Sequence, residues 1–114
     1  MIRIVKTTIS LKELKESAKN GLGSLVKAVV DIERNVMAID GNMHADEEQM
    51  LLNDGSKQQD LWGINIYPEN PVVDRIEFDS MINIRPSQGN HSRSIENTNI
   101  QKEIQNIVNS MITE

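Results

Sequence analysis

The chain has 114 residues, with 12 Lys and Arg against 17 Asp and Glu, so its formal net charge is −5. A hydrophobic fraction of 38% and a charged fraction of 25% describe one globular domain, 1–114, rather than a disordered chain. The absence of cysteine excludes disulfides, thiolate zinc sites and cysteine nucleophiles, and it fits a reducing compartment, so a cytoplasmic location is expected.

No apolar run approaches the roughly 20 residues of a membrane-spanning helix, and Met1 to Lys6 lacks the apolar core of a secretory signal. Only Trp62, Tyr67 and Phe78 are aromatic, so aliphatic side chains must build the core. Charge is unevenly spread. Residues 1–30 carry six basic and two acidic groups, whereas residues 31–60 carry two basic and eight acidic groups. Without a clustered basic stripe the chain is a poor general nucleic-acid binder. The basic N-terminal segment reads first as one solvated helix face; a basic patch meeting the acidic block, within the chain or between copies as in a homo-oligomer, is the sharper alternative.

In chain order, Ile2 to Lys6 alternates as a short first strand. Ser10-Leu11-Lys12-Glu13 is a capping box, opening a helix with Leu11, Leu14 and Ala18 on one stripe and a stop at Asn20-Gly21. Val26, Ala28, Val30 and Ile32 then alternate, as do Met37 and Ile39 beyond Arg34-Asn35. A two-residue turn there pairs Ile32 with Met37 and Val30 with Ile39, and Asn35 tolerates the positive φ required.

Residues Ala45 to Asn53 read as a short helix ending at Asp54-Gly55, and Ser56-Lys57-Gln58-Gln59 reads as a second capping box. Ile64 and Ile66 mark a strand stopped by Pro68. Ile76, Phe78, Ser80, Ile82 and Ile84 alternate strictly, which predicts a long strand over 75–85 ended by Pro86. Ser87 to Ser94 has no apolar residue and reads as a surface loop. Asn97 caps a last helix with Ile100, Ile104, Ile107, Val108 and Met111 at helical spacing. The expected fold is α+β: a two-layer sandwich with an antiparallel sheet of about five strands and two main helices on one face.

Three stretches carry a family resemblance. They are His44-Ala45-Asp46-Glu47-Glu48; Asp54-Gly55-Ser56 with Asp60-Leu61-Trp62-Gly63-Ile64-Asn65; and Glu77 to Pro86 with Gln88-Gly89-Asn90 and Ser92-Arg93. Through them the chain resembles a small family of uncharacterised prokaryotic proteins, a domain of unknown function. The resemblance spans nearly the whole chain and implies no activity. Asn35 and Thr98 stand where that family's pattern has Gly and Pro.

Two constellations could carry chemistry. The first is the loop after the predicted long strand, with Arg85, Gln88, Asn90, Ser92 and Arg93 as candidate ligand-binding residues beside Gly89 and His91. Arginine offers a planar fork of donors matched to carboxylate or phosphate, and Gly89 lets backbone come close to a ligand. The first amides of the last helix could add donors. The structural alternative is that Arg85 and Arg93 pair with acidic residues and hold the loop down.

The second constellation is acidic: His44, Asp46, Glu47 and Glu48, with Asp60, Glu77 and Asp79. Oxygen ligands suit Mg²⁺, Ca²⁺ or Mn²⁺, and Glu77 and Asp79 would share a strand face as an acid–base pair or ion site. No calcium-loop motif appears, and no metal ligand set is assigned. Trp62 could stack on a base or sugar, or lie in the core. Three readings follow: a binding domain for a small anionic ligand (phosphate, nucleotide or acidic group), a metal-assisted hydrolase or nuclease using Glu77 and Asp79, and a structural or partner-interaction protein. The identity of any cofactor stays open.

Overall fold

Alternation in the first residues produces β1 (Arg3–Val5), followed by the two-residue β2 (Ile9–Ser10) and then α1 (Leu11–Asn20) in the computed structural model, which describes all 114 residues. Ser10 Oγ accepts the Glu13 amide at 3.1 Å, so the hydroxyl cap forms as the capping box requires. Leu14 and Ala18 are the helix's buried stripe.

The hairpin joins β3 (Val26–Asp31) to β4 (Val36–Ile39), but its register differs from the one its sequence suggests. Val30 pairs with Met37 and Ala28 with Ile39, a slip of two residues. Asp31 causes the slip. Its Oδ1 accepts from the amides of Glu33 and Arg34 at 2.9 Å each, while its carbonyl accepts from Asn35, closing a four-residue turn. Asn35 takes the left-handed conformation at φ 56, as expected of it. A slip of two preserves the faces, so the apolar pattern tolerates either register.

After α2 (His44–Asn53), Ser56 does not cap the following turn. Its hydroxyl instead donates to Asp31 Oδ2 at 2.6 Å and accepts from Arg34 Nη1 at 2.7 Å, tying this segment to the hairpin. A 3₁₀ turn (Gln58–Asp60) leads into β5 (Leu61–Ile66), which is buried along its whole length.

The predicted strand over 75–85 is largely absent. Only β6 (Ile76–Glu77) is strand, and a 3₁₀ turn (Met81–Asn83) follows. Ser80 caps that turn by accepting from the Ile82 amide at 3.3 Å, which rotates the chain out of the sheet. Phe78 therefore packs with the main core, Ile82 with the core on the opposite face, and Ile84 is exposed. The five apolar positions do not share a face.

Asn97 caps α3 (Thr98–Met111), and β7 (Ile112–Thr113) then pairs in parallel with β2, joining the two ends of the chain. The main sheet is antiparallel, in the order β1-β4-β3-β5-β6. One face carries Val30, Met37, Ile39 and Ile64 against α1 and α3, with Leu14, Ile104 and Val108 as the helix side of the core. The other face carries Val29, Ala38 and Leu61 against Leu51 of α2, so the sheet is covered on both sides. Burial of these aliphatic side chains, about 1.5–3 kcal/mol each, is the principal stabilising contribution.

Candidate functional site

The 85–93 segment is a folded unit. Arg85 and Asn90 exchange both backbone hydrogen bonds, at 2.7 and 3.1 Å, around a 3₁₀ turn (Pro86–Gln88), with Gly89 left-handed at φ 78. Asn90 is 3% exposed and organises the loop from inside. Its Nδ2 donates to the carbonyls of Asn83, Ser92 and Ser94, and its Oδ1 accepts the Glu96 amide. Ser92 Oγ donates to Glu96 Oε2 at 2.9 Å, and Gln88 Nε2 to the Gln59 carbonyl at 3.1 Å. The His91 amide and Ser92 hydroxyl hold the Glu96 carboxyl below the usual carboxylate range.

The two arginines have separate partners. Arg85, 8% exposed, donates to Glu48 Oε2 at 3.0 Å and to the Gln58 carbonyl at 2.8 Å, and its guanidinium lies 5.0 Å from the Trp62 ring centre. Arg93 reaches outward and grips Asp79 through Nε and Nη2, at 2.7 and 3.4 Å. The first amides of α3 are occupied by Asn97 Oδ1, which accepts from Asn99 and Ile100. Trp62 is 2% exposed and packs in the main core.

The carboxylates do not gather. Glu48 pairs with Arg85, Asp79 with Arg93, and Glu77 Oε1 accepts from Asn65 Nδ2 at 2.9 Å and from the Tyr67 hydroxyl at 3.2 Å. No group of three His, Asp or Glu side chains is arranged to hold a metal ion.

A polar cluster lies instead where α2 begins. Lys27, Asn65 and Glu77 are register partners across β3, β5 and β6, and so form a row on the α2 side of the sheet. Into this region α2 sends His44 and Glu47 from its buried stripe. His44 Nε2 donates to the Ile64 carbonyl at 2.7 Å. Burial, with help from the charges of Lys27 and Arg93, holds the imidazole below its ordinary pKa despite the Ile64 carbonyl and Asp79. Neutral His44 thus keeps its proton on Nε2 and a lone pair on Nδ1.

Glu47 is fully buried, and burial pushes its carboxyl up to about 9. Its Oε2 accepts the Gly41 amide at 3.0 Å, but Oε1 has no partner. Asn65 Oδ1 is likewise buried and unpartnered. Sequence reasoning missed Lys27 and Asn65 because, on strands with one wet face, they read as ordinary outward residues. The available signal was the spacing of His44, Glu47 and Leu51, which puts two polar groups on the buried stripe of α2.

A groove of about 510 Å³ crosses the end of the sheet beside this cluster. Its walls include Arg3, Glu16, Asn20, Lys27, Asp40 and Gly41.

The chain belongs to the family described as "Protein of unknown function (DUF5674)", whose model matches residues 3–111. No curated protein and no solved structure matches it. No helix is long and apolar enough to cross a membrane.

Proposed function

We propose that this protein is a small binding domain for an anionic ligand (phosphate, a nucleotide or an acidic group), recognised at the 85–93 loop. Arg93 makes the direct contact in this reading, and the exposed Gln88 adds a neutral donor through the amide hydrogen not used on the Gln59 carbonyl, while the Ser92 hydroxyl holds Glu96. Arg85 and Asn90 contribute by holding the loop to the body of the protein. The observation that carries the proposal is the presentation of Arg93. Its side chain is 54% exposed and rooted in a loop whose backbone is pinned by Asn90, and Asp79 braces its Nε and Nη2, which leaves Nη1 without a partner in the chain. A rigid support for a planar donor group is what anion recognition requires.

Thermal-shift titration with phosphate, sulfate and ATP tests this in the wild type, Arg93→Lys and Arg85→Lys. The wild type should be stabilised, less so as salt is added. Arg93→Lys should lose most of the response at an unchanged starting melting temperature, whereas Arg85→Lys should start lower and still respond. A wild type indifferent to all three anions overturns the reading.

A further inference from the structure

We propose that Asp79 decides which anion the loop accepts, and that the ligand is hydrogen phosphate, an oxyanion that brings its own proton. The inference rests on the anion site at Arg93 and narrows it. Backbone contacts hold Asp79 beside Arg93. Asp79 and Ser94 pair as an antiparallel bridge, the Ser80 amide donates to the Arg93 carbonyl at 3.1 Å, and Asn65 Nδ2 donates to the Asp79 carbonyl at 3.3 Å. Carboxylate and guanidinium are therefore neighbours with or without a ligand.

Within the pair the donors divide between two edges. Asp79 takes the side edge of the guanidinium, Oδ1 accepting from Nε at 2.7 Å and Oδ2 from Nη2 at 3.4 Å. The end edge, with both Nη1 protons and the second Nη2 proton, has no partner in the chain. It presents two parallel N–H groups, the fork that an oxyanion accepts end-on. An oxyanion seated there places one oxygen on Nη2, whose other proton is held by Asp79 Oδ2. The next oxygen of the tetrahedral group then faces Oδ2. Ionised carboxylate oxygens only accept, so that contact is a hydrogen bond when the ligand oxygen carries a proton and a repulsion when it does not.

The charge balance makes this the deciding contact. Arg85, the loop's other guanidinium, turns inward to Glu48 and the Gln58 carbonyl, so Arg93 is the one presented to a ligand. Asp79 cancels its charge. Glu77, two residues before Asp79, is exposed and in no ion pair, while Lys27 lies two strands away on β3. A sulfate dianion therefore meets no net positive charge and two carboxylates. Hydrogen phosphate matches sulfate in charge and shape but carries one hydroxyl, which Asp79 accepts. A phosphomonoester loses its second proton near about pH 6, so above neutrality it behaves as sulfate does.

The test is titration of the full chain at a pH of about 7.5 and constant ionic strength, where phosphomonoesters are mostly dianions. Phosphate and arsenate are compared with sulfate, selenate and methyl phosphate, read by the backbone amide resonances of Asp79, Arg93 and Ser94. Phosphate and arsenate should bind about tenfold or more tightly than the other three. Arg93→Met should abolish the response to all five, which removes general salt effects. Asp79→Asn still accepts from the guanidinium but donates to a ligand oxygen, so it should strengthen sulfate about tenfold and level the preference. Should Asp79→Asn fail to fold, Asp79→Ser, which also removes the carboxylate, decides with the same levelling expected. A wild type that responds to none of the five overturns the anion site and this proposal with it. Sulfate or methyl phosphate binding as tightly as phosphate, through Arg93, overturns this proposal and leaves the anion site standing. So does a folded Asp79→Asn or Asp79→Ser that keeps the wild-type preference.

Discussion

Asn83 treats Gly63 as a strand neighbour, using its side chain in place of a backbone. Its Oδ1 accepts the Gly63 amide at 2.8 Å, and its Nδ2 donates to the Gly63 carbonyl at 2.9 Å and to the Arg93 carbonyl at 3.0 Å. The edge of β5 is thereby satisfied beyond the point where β6 stops. Gly63 must lack a side chain, because a Cβ there would lie 2.6 Å from the Ser80 Cβ. Asn83→Ala should cost about 2–4 kcal/mol, since it strands the buried Gly63 amide and carbonyl in one step, while the Arg93 carbonyl keeps the Ser80 amide. Urea denaturation measures this, and a loss below about 0.5 kcal/mol would mean that water replaces the amide.

This contact also explains which parts of the fold were legible in the sequence. Ser10, Asn97 and the apolar stripes of α1 and α3 were readable because caps and helical spacing are local, and tertiary packing reinforces them. The alternation from Ile76 to Ile84 matched a strand equally well, but a side chain twenty residues from its partner decided the outcome. The hairpin register failed for a related reason: Asp31 sets the turn through a side chain, and alternation is blind to a slip of two. At the candidate sites, the residue types were legible and their partners were not. Nothing local distinguishes Arg85, which turns inward to Glu48, from Arg93, which turns outward to Asp79.

Ile104 sits at the centre of the contact between α3 and the sheet, with no exposed surface. Truncation to Ala should cost about 2–5 kcal/mol, the range for a buried aliphatic residue that leaves a cavity. The exposed Gln105, one position along, should tolerate Ala within about 0.5 kcal/mol. Comparing the two denaturation midpoints isolates docking of the helix from its intrinsic helical propensity.

Arg85 and Glu48 form the most buried ion pair in the protein whose partners are both shielded, at 9% and 14% side-chain exposure. Removing one member of such a pair leaves the other charge without compensation in a poorly solvated place. Arg85→Met should therefore cost about 3–5 kcal/mol, with little dependence on added salt. Glu48→Gln should cost less, because a neutral carbonyl still accepts from the guanidinium. The double substitution Arg85→Met, Glu48→Leu should recover part of the loss, and strictly additive costs in that cycle would show that the pair contributes no coupling.

Glu47 gives the stability curve a distinctive slope. Burial, reinforced by Asp40 and Asp46 and opposed by the Gly41 amide and Lys27, raises its pKa to about 9 in the fold, against 4.5 when unperturbed. Between those values the folded chain holds a proton that the unfolded chain has released, so stability must fall as pH rises and level off above about 9. His44 acts in the opposite sense at lower pH. Its depressed pKa means that the unfolded chain binds the extra proton below 6.5, so stability from this group is lost as pH falls through that region. The two effects oppose one another below about pH 6.5, and the Glu47 decline stands alone above it. The expected slope between pH 7 and 8.5 is about −1.4 kcal/mol per pH unit at most. Glu47→Gln should flatten that limb and raise stability at pH 7 by on the order of 3 kcal/mol, because the amide is neutral in both states. Chemical denaturation at half-unit pH steps measures both curves. A wild-type curve already flat above pH 7 would mean that Glu47 ionises within the fold, with Lys27 as its counterion.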